Sequence, residues 1–201
     1  MTAADPTSTP GNAEVRRVKG PRHPSSRAVA ATTVAVAAAW LALDQVTKAL
    51  AVALLEVPGR VVDLGLMDLR VIRNPGGAFG VPGFPGMFVA VSVVVLTLVV
   101  RALPGTERLS QAAAYGLVTG GALGNLVDRL VRAPGFPSGA VVDFFDLRWW
   151  PVFNGADIGI VTGALAIAVL LTLEDRRERE AAARAGGGDA PAQTDGPPSR
   201  R

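Results

Sequence analysis

The chain has 201 residues, 49% of them hydrophobic in type, with a formal net charge of +3 and no cysteine. Disulfides, thiolate nucleophiles and cysteine metal sites are therefore excluded, and the lone histidine, His23, stands in a polar N-terminal stretch, so Ser/His and Cys/His pairs and an HExxH zinc site are absent by inventory. Carboxylates, lysine and serine remain as candidate chemistry, and a positive mean hydropathy with apolar residues blocked into long runs predicts a membrane protein.

Residues 1–27 are rich in Pro, Ser, Thr, Gly and Arg and predict a disordered tail. From Ala28 to Leu55 the chain is apolar apart from a few residues such as Asp44, Gln45 and Lys48, long enough to cross a hydrocarbon core that needs ~20 residues. Basic residues before this run and the small residues of AVAAAW resemble a cleaved signal peptide, but the apolar stretch continues well past any cleavage site. Residues 56–85 alternate apolar and polar side chains and then fall into NPGGAFGVPGFPG, which predicts a small extracytoplasmic subdomain with short strands between helices 1 and 2. The Val-rich run from Gly86 to Val100 is read as a second helix, because an isolated strand in lipid leaves its backbone unsatisfied. A polar turn over Arg101–Arg108 leads to a third helix, Leu109–Val131, whose Gly116, Gly120, Gly121 and Gly124 suit close helix packing. APGFPSG ends it, and a fourth helix is expected from Asn154 to Leu173, followed over 174–201 by a charged helical extension and a second disordered tail.

The predicted fold class is thus an all-α membrane protein with four transmembrane helices spanning 28–173 and a β-like subdomain at about 56–85. Four crossings place both termini on one side, with Arg16, Arg17, Lys19, Arg22, Arg27, Arg101, Arg108, Arg176, Arg177 and Arg179, and the positive-inside tendency makes that side cytoplasmic. Basic residues at the ends of apolar runs are membrane flanks and give no nucleic-acid signature.

Depth gathers the polar residues. At ~1.5 Å per residue, Asp44 lies ~25 Å above Arg27, and Asn125 and Asp128 lie ~25–30 Å above Arg108. Asp157 is a similar ~25 Å above Glu174, and Asp143, in the loop joining helices 3 and 4, is tethered to the same plane. Carboxylates at the edge of a bilayer are costly unless they work or are paired, so the cluster marks a functional site. Asp44 and Lys48, four residues apart, are able to neutralise each other, with Lys48 snorkelling outward. Asp128 has Arg132 at the same spacing and Arg129 beside it, whereas Asp143 and Asp157 have no basic residue at helical spacing; Asp157 also suits the first turn of helix 4, with Asn154 as N-cap. Trp149 and Trp150 read as interfacial anchors. Two aspartates facing one water share a proton and hydrolyse a peptide bond without Ser, Cys, His or metal. Which of Asp128 and Asp143 partners Asp157 is open on the residues alone. A transporter using Asp44, Asp128 and Asp157 as an ion path is the first alternative, although the cytoplasmic halves of the helices are apolar; a scaffold built on the Gly-rich helix is the second, and it leaves the acids unexplained.

DQVTK (Asp44 to Lys48), NPGGAFG (Asn74 to Gly80), GGALGNLVDR (Gly120 to Arg129), VVDF (Val141 to Phe144) and FNGADIGI (Phe153 to Ile160) resemble, in order, the motifs of bacterial lipoprotein signal peptidase, or signal peptidase II. Gly77 stands where that family more often has alanine. The resemblance covers about residues 30–173. It implies an intramembrane aspartic endopeptidase of the cytoplasmic (inner) membrane, with its active site near the extracytoplasmic face and no cofactor or metal. The substrates it implies are diacylglyceryl prolipoproteins, cut just before the lipidated cysteine among membrane phospholipid; globomycin, a cyclic lipopeptide, is the expected inhibitor. It assigns Asp143 and Asp157 as the catalytic pair, and Asp44, Lys48, Asn74, Asn125, Asp128, Arg129 and Asn154 as residues that hold substrate or support the site.

Overall fold

The computed structural model describes residues 24–76 and 86–186. The expected tails at 1–23 and 187–201, and residues 77–85 with the second half of NPGGAFG, lie outside the described residues. Among the described residues, four α-helices and three short strands follow one another as α1 (Ser26–Leu55), β1 (Val62–Asp63), β2 (Asp68–Asn74), α2 (Met87–Ala102), α3 (Leu109–Val131), β3 (Val141–Asp146) and α4 (Gly155–Gly186). A single 3-10 turn, Leu103–Gly105, joins α2 to α3.

Three of these helices are long and apolar enough to cross a membrane: α1, α2 with the turn that follows it, and α4. The outer faces of these helices carry exposed Val34, Leu50, Val94, Leu98, Leu165 and Val169, as a surface solvated by lipid requires. The helix α3 is not among the three. It packs against α1, α2 and α4 and buries Gln111, Asp128 and Arg129, so its polar residues face protein. The start of α1 is capped by Ser25, whose hydroxyl accepts the Ala28 N–H at 3.2 Å. Helix α4 runs on unbroken past Leu173 through EDRRERE, the segment read as a charged helical extension.

The glycines of α3 explain how it sits between two neighbours. A Cβ on Gly120 lands 2.7 Å from the Ala37 carbonyl of α1, and one on Gly121 overlaps the Ala156 carbonyl of α4. Gly121→Val is therefore expected to push α4 from α3 and lower stability by about 1–3 kcal/mol, read as a fall in the thermal unfolding temperature in detergent. An unchanged unfolding temperature contradicts that packing.

The strands form one antiparallel sheet in the order β1-β2-β3. Here the structure corrects the sequence reading. The subdomain is not built from the α1–α2 connection alone: VVDFFD, expected as loop, is its third strand, and Ile72 pairs with Asp143. Val142 and Phe144 pack with Ala51 and Leu55 at the end of α1, against Val62, Leu69 and Val71. Alternation along β3 then turns Asp143 to the other face, where it is 3% exposed. At the sheet's far edge Arg148, with φ 67°, donates to Asp68 at 2.6 Å and Asp63 at 2.8 Å, closing the β1–β2 hairpin onto the strand that carries Asp143.

Candidate active site

The acids expected at one depth, with the amides and bases around them, divide into two groups. In the first, Lys48 is wholly buried, and its Nζ lies 2.9 Å from both Asp44 Oδ2 and Asp128 Oδ2. Lys48 does not snorkel outward, the alternative open to it on helix 1: its departure would strand two buried carboxylates. Asp128 is held a second time by Arg132 at 2.6 Å. Asp44 Oδ1 accepts the Ala156 N–H at 2.7 Å, tying α1 to the first turn of α4. Gln45, noted in the sequence only as a polar residue in an apolar run, donates from Nε2 to Asp44 Oδ2 at 3.2 Å, the Gly124 carbonyl at 3.1 Å and Asp128 Oδ1 at 3.3 Å.

In the second group every carboxylate oxygen meets an N–H. Asp143 Oδ1 accepts from Asn154 Nδ2 at 2.6 Å and its Oδ2 from Asn74 Nδ2 at 2.8 Å. Asp157 Oδ1 accepts from Asn125 Nδ2 at 2.9 Å and its Oδ2 from the Asn154 backbone N–H at 3.1 Å. Asn154 Oδ1 accepts the Asp157 N–H at 3.1 Å, so the two residues cap the helix start reciprocally. Asn154 thus touches both acids. Burial, opposed by the hydrogen bond from Asn74 and reinforced by the neighbouring Asp157 charge, pushes the Asp143 carboxyl up to about 6.

Arg129 is 5% exposed and serves neither acid directly as a hydrogen-bond donor. Its Nη1 donates to the carbonyls of Asn74, Pro75 and Gly139 at 3.2, 3.1 and 3.0 Å, and its Nη2 to that of Gly76. The guanidinium also lies 5.1 Å from the Phe88 ring centroid, joining α2 to the site. Nothing local in the sequence pairs Phe88 with Arg129; only the approach of α2 to α3 does.

Asp143, Asp157, Asn74, Asn125 and Arg129 all line one cavity of about 660 Å³. The rest of its wall is mostly apolar, with Phe88, Val91 and Val95 of α2, Ile158 and Val161 of α4, and Trp149 and Trp150 of the loop between β3 and α4, and with Ser92 and Thr162 as further polar members. Asp44, Lys48, Asp128 and Asn154 stand behind that lining, each 0% exposed.

A family model described as signal peptidase (SPase) II matches residues 36–173. The chain belongs to the signal peptidase II family. The match takes in every residue named in both groups. Relatives include the lipoprotein signal peptidase of Rhodococcus jostii, 50% identical over 138 residues that make up 67% of this chain and 69% of that protein. The lipoprotein signal peptidase of Streptomyces griseus is 41% identical over 165 residues, 81% of each chain, and that of Mycolicibacterium smegmatis is 41% identical over 169 residues, 82% of this chain and 68% of the relative. Among solved structures, a bacterial membrane enzyme determined by the in meso method superposes with a TM-score of 0.63 at 28% identity, covering 72% of this chain and 90% of its own. This signal peptidase II family member is therefore a peptidase by family, and its apolar helices make it an integral membrane protein.

Proposed function

We propose that this family member is an aspartic endopeptidase that removes signal peptides from diacylglyceryl prolipoproteins by cutting the peptide bond before the lipidated cysteine. The observation that carries the proposal is that Asp143 and Asp157 both line one mostly apolar cavity, with Asn154 bonded to both. Asp157 lies in the first turn of α4, where the helix dipole favours a negative charge, and acts as the base. Asp143, pushed up to about 6, carries the proton the two acids share. Water between them gives a proton to Asp157 as its oxygen attacks the scissile carbonyl carbon, and Asp143 protonates the carbonyl oxygen. Collapse of the resulting diol breaks the C–N bond, with a proton passing to the leaving amine. The wall of Phe88, Val91, Val95 and Val161 suits acyl chains and an apolar signal segment.

Charge distribution supports an orientation in the cytoplasmic membrane with both termini cytoplasmic and the acid pair near the extracytoplasmic face. In that placement α3 is the fourth crossing, its polar residues shielded by the other three helices, and phospholipid covers their outer faces. Asn74, Asn125 and Asn154 hold the acids, Arg129 holds the backbone beside them, and Asp44, Lys48 and Asp128 brace the helices.

The test is incubation of the purified protein in detergent with a diacylglyceryl precursor and with the same precursor lacking lipid. Cleavage of the lipidated form alone, blocked by globomycin, is expected. Intact precursor, or proton flux in vesicles in its place, points to the transporter alternative.

A further inference from the structure

A buried ammonium has three protons to place, and the partners of Lys48 account for all of them. Two face the carboxylates of Asp44 and Asp128, and the third is donated to Asn125 Oδ1 at 2.9 Å. An asparagine amide has an acceptor end and a donor end of nearly equal shape, so its neighbours decide which end faces which way. Asn125 Oδ1 accepts from Lys48 Nζ and, at 3.2 Å, from Asn154 Nδ2. Its Nδ2 is thereby left pointing at Asp157 Oδ1, 2.9 Å away. The flipped amide turns a carbonyl oxygen toward a carboxylate and an NH2 group toward an ammonium, two repulsive contacts in place of two charge-assisted hydrogen bonds.

On the peptidase function proposed above, we infer that Lys48 is a positioning residue for the reaction, acting through Asn125: the ammonium locks the amide so that its N–H, and not its oxygen, meets the carboxylate of Asp157. Through this amide the ion cluster of Asp44, Lys48 and Asp128 reaches the acid pair. Asn154 needs no such help, since its own Oδ1 is held by the Asp157 N–H.

Removing Lys48 alone strands two buried acids, so the test uses a charge-balanced pair, Asp44→Asn with Lys48→Met. Asp128 then keeps Arg132, and residue 44 keeps an oxygen for the Ala156 N–H. Cleavage kinetics are compared for wild type, this pair, Asn125→Leu and the combination of all three. The pair is expected to lower kcat by about 10- to 100-fold, the worth of one hydrogen bond to a charged group, with KM little changed. Added to Asn125→Leu it is expected to cost nothing further, because both changes remove one link. An unchanged kcat in the pair, or a loss that multiplies with that of Asn125→Leu, overturns the inference. Asn125→Asp gives a second check should the pair unfold: it keeps an oxygen for Lys48 and leaves no N–H for Asp157, so a folded variant with undiminished kcat also overturns it. A wild-type protein that cuts no lipidated precursor removes the proposed function itself, and with it any reaction for Lys48 to serve. Cleavage that is lost in Asp157→Asn leaves that function standing whichever way the comparison falls.

Discussion

Asp143→Asn and Asp157→Asn are each expected to lower cleavage of a diacylglyceryl precursor by about 10⁴-fold, the upper range for loss of a general acid or base. The two changes fail for complementary reasons. At position 157 an amide takes no proton from water; at position 143 it has no acidic proton to give. Neither variant should unfold. All four oxygens of the pair are met by amide N–H groups, so no buried cation is stranded by either change. For Asp143 the sign of the stability effect follows from its folded value near 6, above the ordinary carboxylate range. The folded state binds its proton more tightly, so ionisation of this group erodes stability as pH rises from about 4 to about 6, and near neutrality a neutral side chain relieves the cost. Thermal unfolding in detergent at pH 7 should therefore show Asp143→Asn still folded while cleavage is gone, the relief of the buried charge being offset by its new NH2 group facing one of the two amide donors. Retained cleavage in either variant moves the chemistry to other residues.

Lys48→Met is expected to be the most destabilising single change, by about 3–5 kcal/mol, because it breaks buried ion pairs from one side only. Asp128 keeps Arg132, but Asp44 is left with the Ala156 N–H and the Gln45 amide. Methionine fills similar volume without a donor, so the loss is electrostatic and not a cavity. The readout is the unfolding temperature in detergent, set beside that of the charge-balanced pair with Asp44→Asn, which should recover part of the loss. An unfolding temperature equal to wild type would show that the ammonium is not needed against these acids. Together the two predictions separate the groups: changes at Asp143 and Asp157 are expected to cost activity and little stability, whereas a change at Lys48 is expected to cost both.

Much of this organisation is legible in the residues. Apolar runs announced α1, α2 and α4, since lipid demands uniform apolarity over a fixed length. The glycines of α3 announced close packing, and Asn154 with Asp157 announced the start of α4. The i,i+4 spacings of Asp44 with Lys48 and Asp128 with Arg132 foretold two ion pairs that form. The misjudged features all depend on distant neighbours. VVDFFD reads as loop because six residues carry no sign of the partner some seventy positions earlier that makes them a strand. For Lys48 an outward, snorkelling placement stays open in the sequence because a single helix cannot show that Asp128 will arrive on another beside it.

The chain's own order of residues thus determined the apolar runs of α1, α2 and α4 and the motifs of the family, because those properties follow from local composition. Tertiary structure alone decided how the acids divide. Asp128 and Asp143 are alike as residues, but one lies where two cations converge and the other on a strand face opening into the cavity beside Asp157. Convergence of side chains from α1, α3, β3 and α4 sets that difference, and a contact between elements far apart in the chain leaves no mark within either one.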